Sequence, residues 1–210
     1  MGTMATSEPG SDESALTKRY AMLPDGGGAA VGAALLARWR EPHRRYHTER
    51  HLRFLLDRLD ELGGSAADPV AVELAGWFHD AVYDPRGADN EERSAELAAA
   101  ALPDSARRDE VVRLVRLTAS HRPAAGDTNG ATLCDADLAV LAGTPAAYAA
   151  YAAAVRDEYR HVDDAAFAAG RAGVLRRLLA GPRLFHTAYG ADHWEQPART
   201  NLAAELALLP

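Results

Sequence analysis

The dipeptide His79-Asp80 closes an apolar run that begins at Val70, and residues of the same types recur in separate segments. Upstream lies Tyr46-His47-Thr48-Glu49-Arg50-His51; downstream lies Asp135-Ala136-Asp137-Leu138. Imidazole nitrogens and carboxylate oxygens brought together from different helices make a mixed donor set for a divalent cation: manganese, iron, cobalt, nickel, zinc or magnesium. Neighbouring residues on a helix point about 100° apart, so His79 and Asp80 can share one cation only if it sits off the helix flank. The remaining donors must then come from other helices. His47 precedes His51 by one helical turn, which places both rings on one face, about 6 Å apart, if the helix has begun by His47. Asp135 and Asp137 point to different sides of a helix, so one is expected at the metal and the other in a supporting or capping role.

This ordered set resembles the HD superfamily of metal-dependent phosphohydrolases, whose pattern is a histidine, then His-Asp, then a distant aspartate in an Ala-Asp-Leu context. Over roughly residues 30–209 the chain is similar to a bacterial branch of predicted HD-type phosphohydrolases. The likeness is carried by Glu41-Pro42-His43-Arg44-Arg45-Tyr46-His47-Thr48, Trp77-Phe78-His79-Asp80-Ala81-Val82-Tyr83-Asp84, Asn90-Glu91-Glu92-Arg93-Ser94-Ala95 and Asp135-Ala136-Asp137-Leu138. The resemblance implies an all-α fold, a single HD-domain-like helical bundle. It also implies His51, His79, Asp80 and Asp137 as metal ligands, with the Ala-Asp-Leu context choosing Asp137 over Asp135. The implied reaction is attack of a metal-bound hydroxide on the phosphorus of a small phosphorylated substrate, nucleotides included.

Cyclic-nucleotide phosphodiesterases carry Tyr-His-Asn-x-x-His where this chain has Tyr46-His47-Thr48-Glu49-Arg50-His51. There the first histidine is a proton donor and the second a metal ligand, so His47 is the expected general acid. Thr48 stands where those enzymes have asparagine, and their substrate class is not carried over. Asp80 or Asp137 is expected to orient the nucleophile, and Glu91 to hold a coordinated water or a ligand histidine. Arg44, Tyr83, Asn90, His121 and Arg122 are the expected substrate contacts. The two arginines would act as bidentate phosphate donors, and His121 would meet a phosphate oxygen or a second metal. Their plainer readings are Asn90 as a helix cap, with His121 and the arginines as solvated charges at helix ends.

Two other readings share the motif. HD-fold oxygenases such as myo-inositol oxygenase use a di-iron centre and need more histidines than His121 adds. A non-catalytic module would keep a metal or nucleotide site for regulation. Phosphate-binding Gly-x-x-x-x-Gly-Lys loops, Gly-x-Ser-x-Gly elbows and Gly-x-Gly-x-x-Gly turns are absent from the sequence, which excludes the chemistries they serve.

The elements that must position these residues read as helices throughout. A short helix over Ala15 to Leu23 is broken by Pro24-Asp25-Gly26-Gly27-Gly28, and a second runs from Ala29 to Arg40. Leu52, Leu55, Leu56, Leu59 and Leu62 repeat at helical spacing as far as Gly63-Gly64. Pro69 opens a helix expected to continue to Val82, and Asn90 is expected to cap an alanine-rich helix that Pro103 stops. Further helices are expected from Val111 to His121, around Asp135 and Asp137, from Thr144 to about His161, from Asp163 to Gly181, and from Gln196 to Leu209. Glu195, Arg199, Asn201 and Glu205 share a face that would tie this last helix to the bundle. Residues 1–14 are polar and read as a disordered tail, leaving 15–210 as one domain.

The 210 residues are 48% apolar and 25% charged, an ordinary globular balance with a net charge of −7. That charge gives no general attraction to nucleic acid, so no scaffold role on nucleic acid is expected. Cys134 is the single cysteine, which rules out an intramolecular disulfide and makes a reducing cytoplasm the expected compartment. No apolar stretch approaches the about 18 residues of a membrane span, so no membrane partner is expected. A homo-oligomer stays open.

Overall fold

The computed structural model describes residues 9–210, with side chains from residue 15. Residues 1–8 of the expected tail lie outside the described residues, and the first helix already begins at Pro9. All regular elements among the described residues are helical: α1 (Pro9–Ala21), α2 (Ala29–Trp39), α3 (Glu49–Glu61), α4 (Pro69–Phe78), α5 (Asn90–Ala101) and α6 (Ala106–Leu117). They continue with α7 (Thr128–Leu138), a 3-10 turn (Ala139–Ala142), α8 (Pro145–Glu158), α9 (Asp164–Ala180), α10 (Ala188–His193) and α11 (Glu195–Leu208). The fold is all-α, and no single described helix is long and apolar enough to cross a membrane.

Starts and stops follow local chemistry. Asp68, Ser105, Asp127, Thr144, Asp163 and Thr187 each accept a backbone N–H in the first turn of the helix they precede. Leu102 is extended because Pro103 follows it, and α5 ends there. The hub is α4, in which every residue from Ala71 to Phe78 except Glu73 is buried, with α3, α5, α6 and α7 packed around it. A Cβ on Gly76 would meet Leu55 Cδ2 at 2.6 Å, so glycine there permits the close approach of α3 and α4. Cys134 is a buried small side chain in α7.

The end of α4 differs from expectation. The helix stops at Phe78 rather than Val82, and Ala81 N–H folds back to Phe78 O at 3.0 Å. The carbonyls beyond the stop have no helical donor, and Arg44 supplies one. Its guanidinium, with a side chain 0% exposed, donates to Asp80 O at 2.8 Å, Ala81 O at 3.2 Å and His47 O at 3.0 Å. The planar cation lies 5.4 Å from the Trp39 ring and 5.6 Å from the Tyr83 ring. Arg44 is thus consumed as a cap for α4 and is not placed to contact a substrate, because desolvating its charge requires all of those acceptors.

Asn90 also departs from its expected role. It is the first residue of α5, Asp89 occupies the cap position, and Asn90 clasps the preceding loop through Asp84 N–H and Asp84 O. At the other end, Glu195 accepts from Leu184 and Phe185 N–H, Arg199 donates to Leu179 O and Gly181 O, Asn201 donates to Leu141 O and Gly143 O, and Glu205 pairs with Arg171. The last helix is tied to the bundle by the face that its spacing suggested.

Replacing Arg44 by methionine keeps the stem and strands the carbonyls. The expected loss is about 2–4 kcal/mol of unfolding free energy, read from denaturant melts. A variant within about 0.5 kcal/mol of wild type, the range of ordinary surface substitutions, would overturn the capping role.

Candidate metal centre

Four side chains from two helices and one turn converge in the bundle. His51 leaves the first turn of α3, His79 and Asp80 sit in the turn after α4, and Asp137 leaves the last turn of α7. His79 keeps helical geometry as the residue after α4, with φ −54°, ψ −40° and its N–H on Ala75 O at 2.9 Å, and Asp80 follows it in the turn. His51 Nε2 lies 3.2 Å from His79 Nε2 and 3.0 Å from Asp137 Oδ1. His79 Nε2 lies 3.2 Å from Asp80 Oδ2 and 3.7 Å from Asp137 Oδ1. His51, His79 and Asp80 each offer a donor atom within 4.8 Å of the others.

These separations fit a cation. Donors held about 2.1 Å from a metal stand about 3.0 Å apart at right angles and about 3.4 Å apart at tetrahedral angles. The outer nitrogens are oriented for the purpose. His79 Nδ1–H donates to Gly76 O at 2.8 Å, which turns Nε2 inward, and His51 Nδ1 lies 3.1 Å from the Tyr46 hydroxyl.

The electrostatics point the same way. Burial disfavours the charged form of Asp80, but the His79 and His47 rings outweigh it and hold the carboxyl below its usual range. Asp137 is held low against the same burial cost by His79, His121 and His51. For His79 burial acts downward, while Asp80 and Asp137 raise it to about 9. Burial and the neighbouring His79 and His47 push His51 down despite Asp137. The cluster demands positive charge at its centre.

His47 stands beside the cluster without joining it. It precedes α3, since Thr48 is the extended cap residue, so the helix has not begun there, and a loop rather than a helical turn sets its 5.8 Å ring separation from His51. Its Nε2 is 3.8 Å from Asp80 Oδ2, and its Nδ1 donates to Glu158 Oε2 at 2.6 Å. Glu158 is fully buried at the end of α8. It also accepts the Tyr83 hydroxyl at 3.0 Å and the backbone N–H groups of Arg45, Tyr46 and His47. Burial works against the Glu158 carboxylate, and the His47 ring with these donors brings its pKa down to about 2. Burial likewise opposes the His47 cation, and Asp80 and Glu158 raise its pKa nonetheless.

A cavity of about 310 Å³ opens over this centre, and His47, Tyr83, Asn90, Glu91 and His121 share its lining with the cluster. His121 holds φ 51°, in the left-handed region, and its Nε2 is 2.7 Å from Asp137 Oδ2. Arg122 is exposed and outside the lining, and Arg44 is buried beneath, so neither expected arginine faces the cavity. Asp135 faces away: it accepts from His186 and Thr187 N–H and anchors the entry to α10. Glu158 and Tyr159 had no sequence signal, since Glu158 meets His47 across 111 positions of chain.

No family profile, curated protein or solved structure matches the chain. The geometry of the centre therefore carries the functional reading.

Asp80→Ala should weaken binding of manganese or zinc by at least about 10–100-fold while leaving helical circular dichroism unchanged. Equilibrium dialysis with wild-type stoichiometry would remove Asp80 from the donor set. Because His79 must lose its extra proton to bind, loading the wild-type protein near neutral pH should release protons, and affinity should rise as pH approaches about 9. Calorimetry in buffers of different ionisation enthalpy reads both.

Proposed function

We propose that this chain is a metal-dependent phosphohydrolase that uses His51, His79, Asp80 and Asp137 to hold a divalent cation. The observation that carries the reading is the four-donor cluster with a carboxylate-supported imidazole, His47 on Glu158, directly beside it. A cation held there supplies Lewis acidity to a phosphoryl group and lowers the pKa of water.

The protein's own groups divide the remaining work. The cavity is lined by the carboxylates Asp80, Glu91 and Asp137 and has no lysine or arginine among its lining residues. An anionic phosphoryl group would therefore find its positive partners in a cation held at the centre and in the His47 imidazole. Asp80 orients the attacking water. Water oxygen bonds to phosphorus, the ester P–O bond breaks, and His47 Nε2 gives its proton to the departing oxygen. Glu158 positions that ring through Nδ1 and, together with Asp80, raises its pKa against the effect of burial. Tyr83, stacked 4.2 Å from the His47 ring and bonded to the same carboxylate, fixes the ring plane.

A screen of phosphomonoesters, phosphodiesters and nucleotides with added manganese, cobalt, nickel, zinc or magnesium tests the reading. Release of phosphate or alcohol that needs the metal and is lost in Asp80→Ala is expected; tight metal binding without any turnover would make the chain a binding module instead. His47→Ala should retain metal and lose about 10²–10⁴ in rate on esters of basic alcohols, with a smaller loss on activated aryl esters. Equal losses on both would remove the acid role. Glu158→Gln should move the alkaline limb of the pH–rate profile to lower pH, because His47 then loses the carboxylate that raises its pKa.

A further inference from the structure

A second cavity, of about 410 Å³, adjoins the first and shares His47 and Tyr159 with it. Its volume lies within the about 300–1,000 Å³ of small-molecule sites. It runs between α8 and α9, where Tyr151 and Val155 of α8 face Phe167 and Val174 of α9. Its arginine and the Tyr46 hydroxyl are already engaged. Arg171, its one arginine, donates to Glu205 at 2.7 and 2.9 Å and to the Tyr151 hydroxyl at 3.3 Å, and the Tyr46 hydroxyl meets His51 Nδ1. A sugar or a nucleobase edge entering this cleft would leave its own donors and acceptors unmatched.

The lining of the cleft includes Gly170, an exposed residue midway along α9. Glycine there costs helix stability relative to any ordinary residue. Neither backbone nor packing requires it: its φ is not positive, and a Cβ at this position would meet nothing within 4 Å. What the missing side chain preserves is the open space of the cleft.

We propose that the α8–α9 cleft receives an apolar, aromatic-sized organic group of the substrate, whose phosphoryl end lies at the metal centre. The substrate class is then a phosphoester of an aromatic or bulky aliphatic alcohol. This rests on the phosphohydrolase reading for the phosphoryl end alone. The departing oxygen sits at His47, on the wall between the two cavities, so the general acid meets the leaving group where the apolar cleft begins.

The test fills the cleft without disturbing the centre. Gly170→Leu projects a side chain into open space and replaces a poor helix former with a good one, so its melting temperature should be no lower than that of wild type. Binding of 1-naphthol, read from its own fluorescence, should weaken at least about tenfold in Gly170→Leu, the scale of losing one apolar contact in a pocket. For metal-loaded enzyme, the preference in kcat/KM for 1-naphthyl phosphate over phenyl phosphate should fall by about the same factor, with inhibition by inorganic phosphate unchanged. Equal naphthol binding by the two proteins, or none by wild type, overturns the cleft assignment. Naphthol binding that Gly170→Leu abolishes, in a protein that turns over neither ester, upholds the cleft and overturns the hydrolase reading.

Discussion

The structure turns on one electrostatic constraint: His51 Nε2 and His79 Nε2 lie 3.2 Å apart, with Asp137 Oδ1 3.0 and 3.7 Å from them and Asp80 Oδ2 3.2 Å from His79. Lone pairs aimed at one another in a medium of low dielectric repel strongly, and the arrangement is tolerable only when positive charge lies among them. A divalent cation held there would supply that charge; against burial, the Asp80 and Asp137 carboxylates raise the His79 ring to about 9, while burial and the neighbouring His79 and His47 push His51 down. Metal binding and proton binding would thereby be coupled at the same atoms.

Much of the surrounding structure exists to make this convergence affordable. His79 continues the helical geometry of α4 by one residue, and the carbonyls of the turn that follows, Asp80 O and Ala81 O, are met by Arg44 from beneath. Glu158 does the corresponding task on the other side, gathering the Arg45, Tyr46 and His47 N–H groups so that the segment before α3 presents His47 to the cavity. Asp135, two residues from Asp137, pins the approach to α10 and so orients the helix that carries the ligand. Each of these polar groups is buried, and each is fully engaged, as burial demands.

The charge distribution also bears on what the site accepts. The cavity over the centre has three carboxylates in its lining and no lysine or arginine, whereas the adjoining cleft is apolar with its arginine neutralised by Glu205. Recognition of a substrate by these surfaces would depend on the metal centre at one end and on apolar burial at the other, with little contribution from hydrogen-bonding specificity between them.

Helix content, most helix limits and the candidate ligands could be read from the chain alone, because apolar spacing, caps and the types His51, His79, Asp80 and Asp137 are local properties. That only one of Asp135 and Asp137 could face the cluster was likewise legible from helical spacing, whereas the choice of Asp137 rested on the resemblance of its Ala-Asp-Leu context. The early end of α4 was not, for the apolar pattern continues through Ala81 and Val82, and the partners of the turn that replaces the helix, Arg44 on Asp80 O and Ala81 O and Ser94 on Val82 N–H, come from elsewhere in the chain. Nor was Glu158, whose partner His47 lies 111 residues away, or the fate of Arg44 and Asn90, whose side-chain hydrogen bonds are spent on backbone groups. Residue type limits what chemistry a side chain can perform; burial and the partners that folding brings to it decide which of those chemistries remains open.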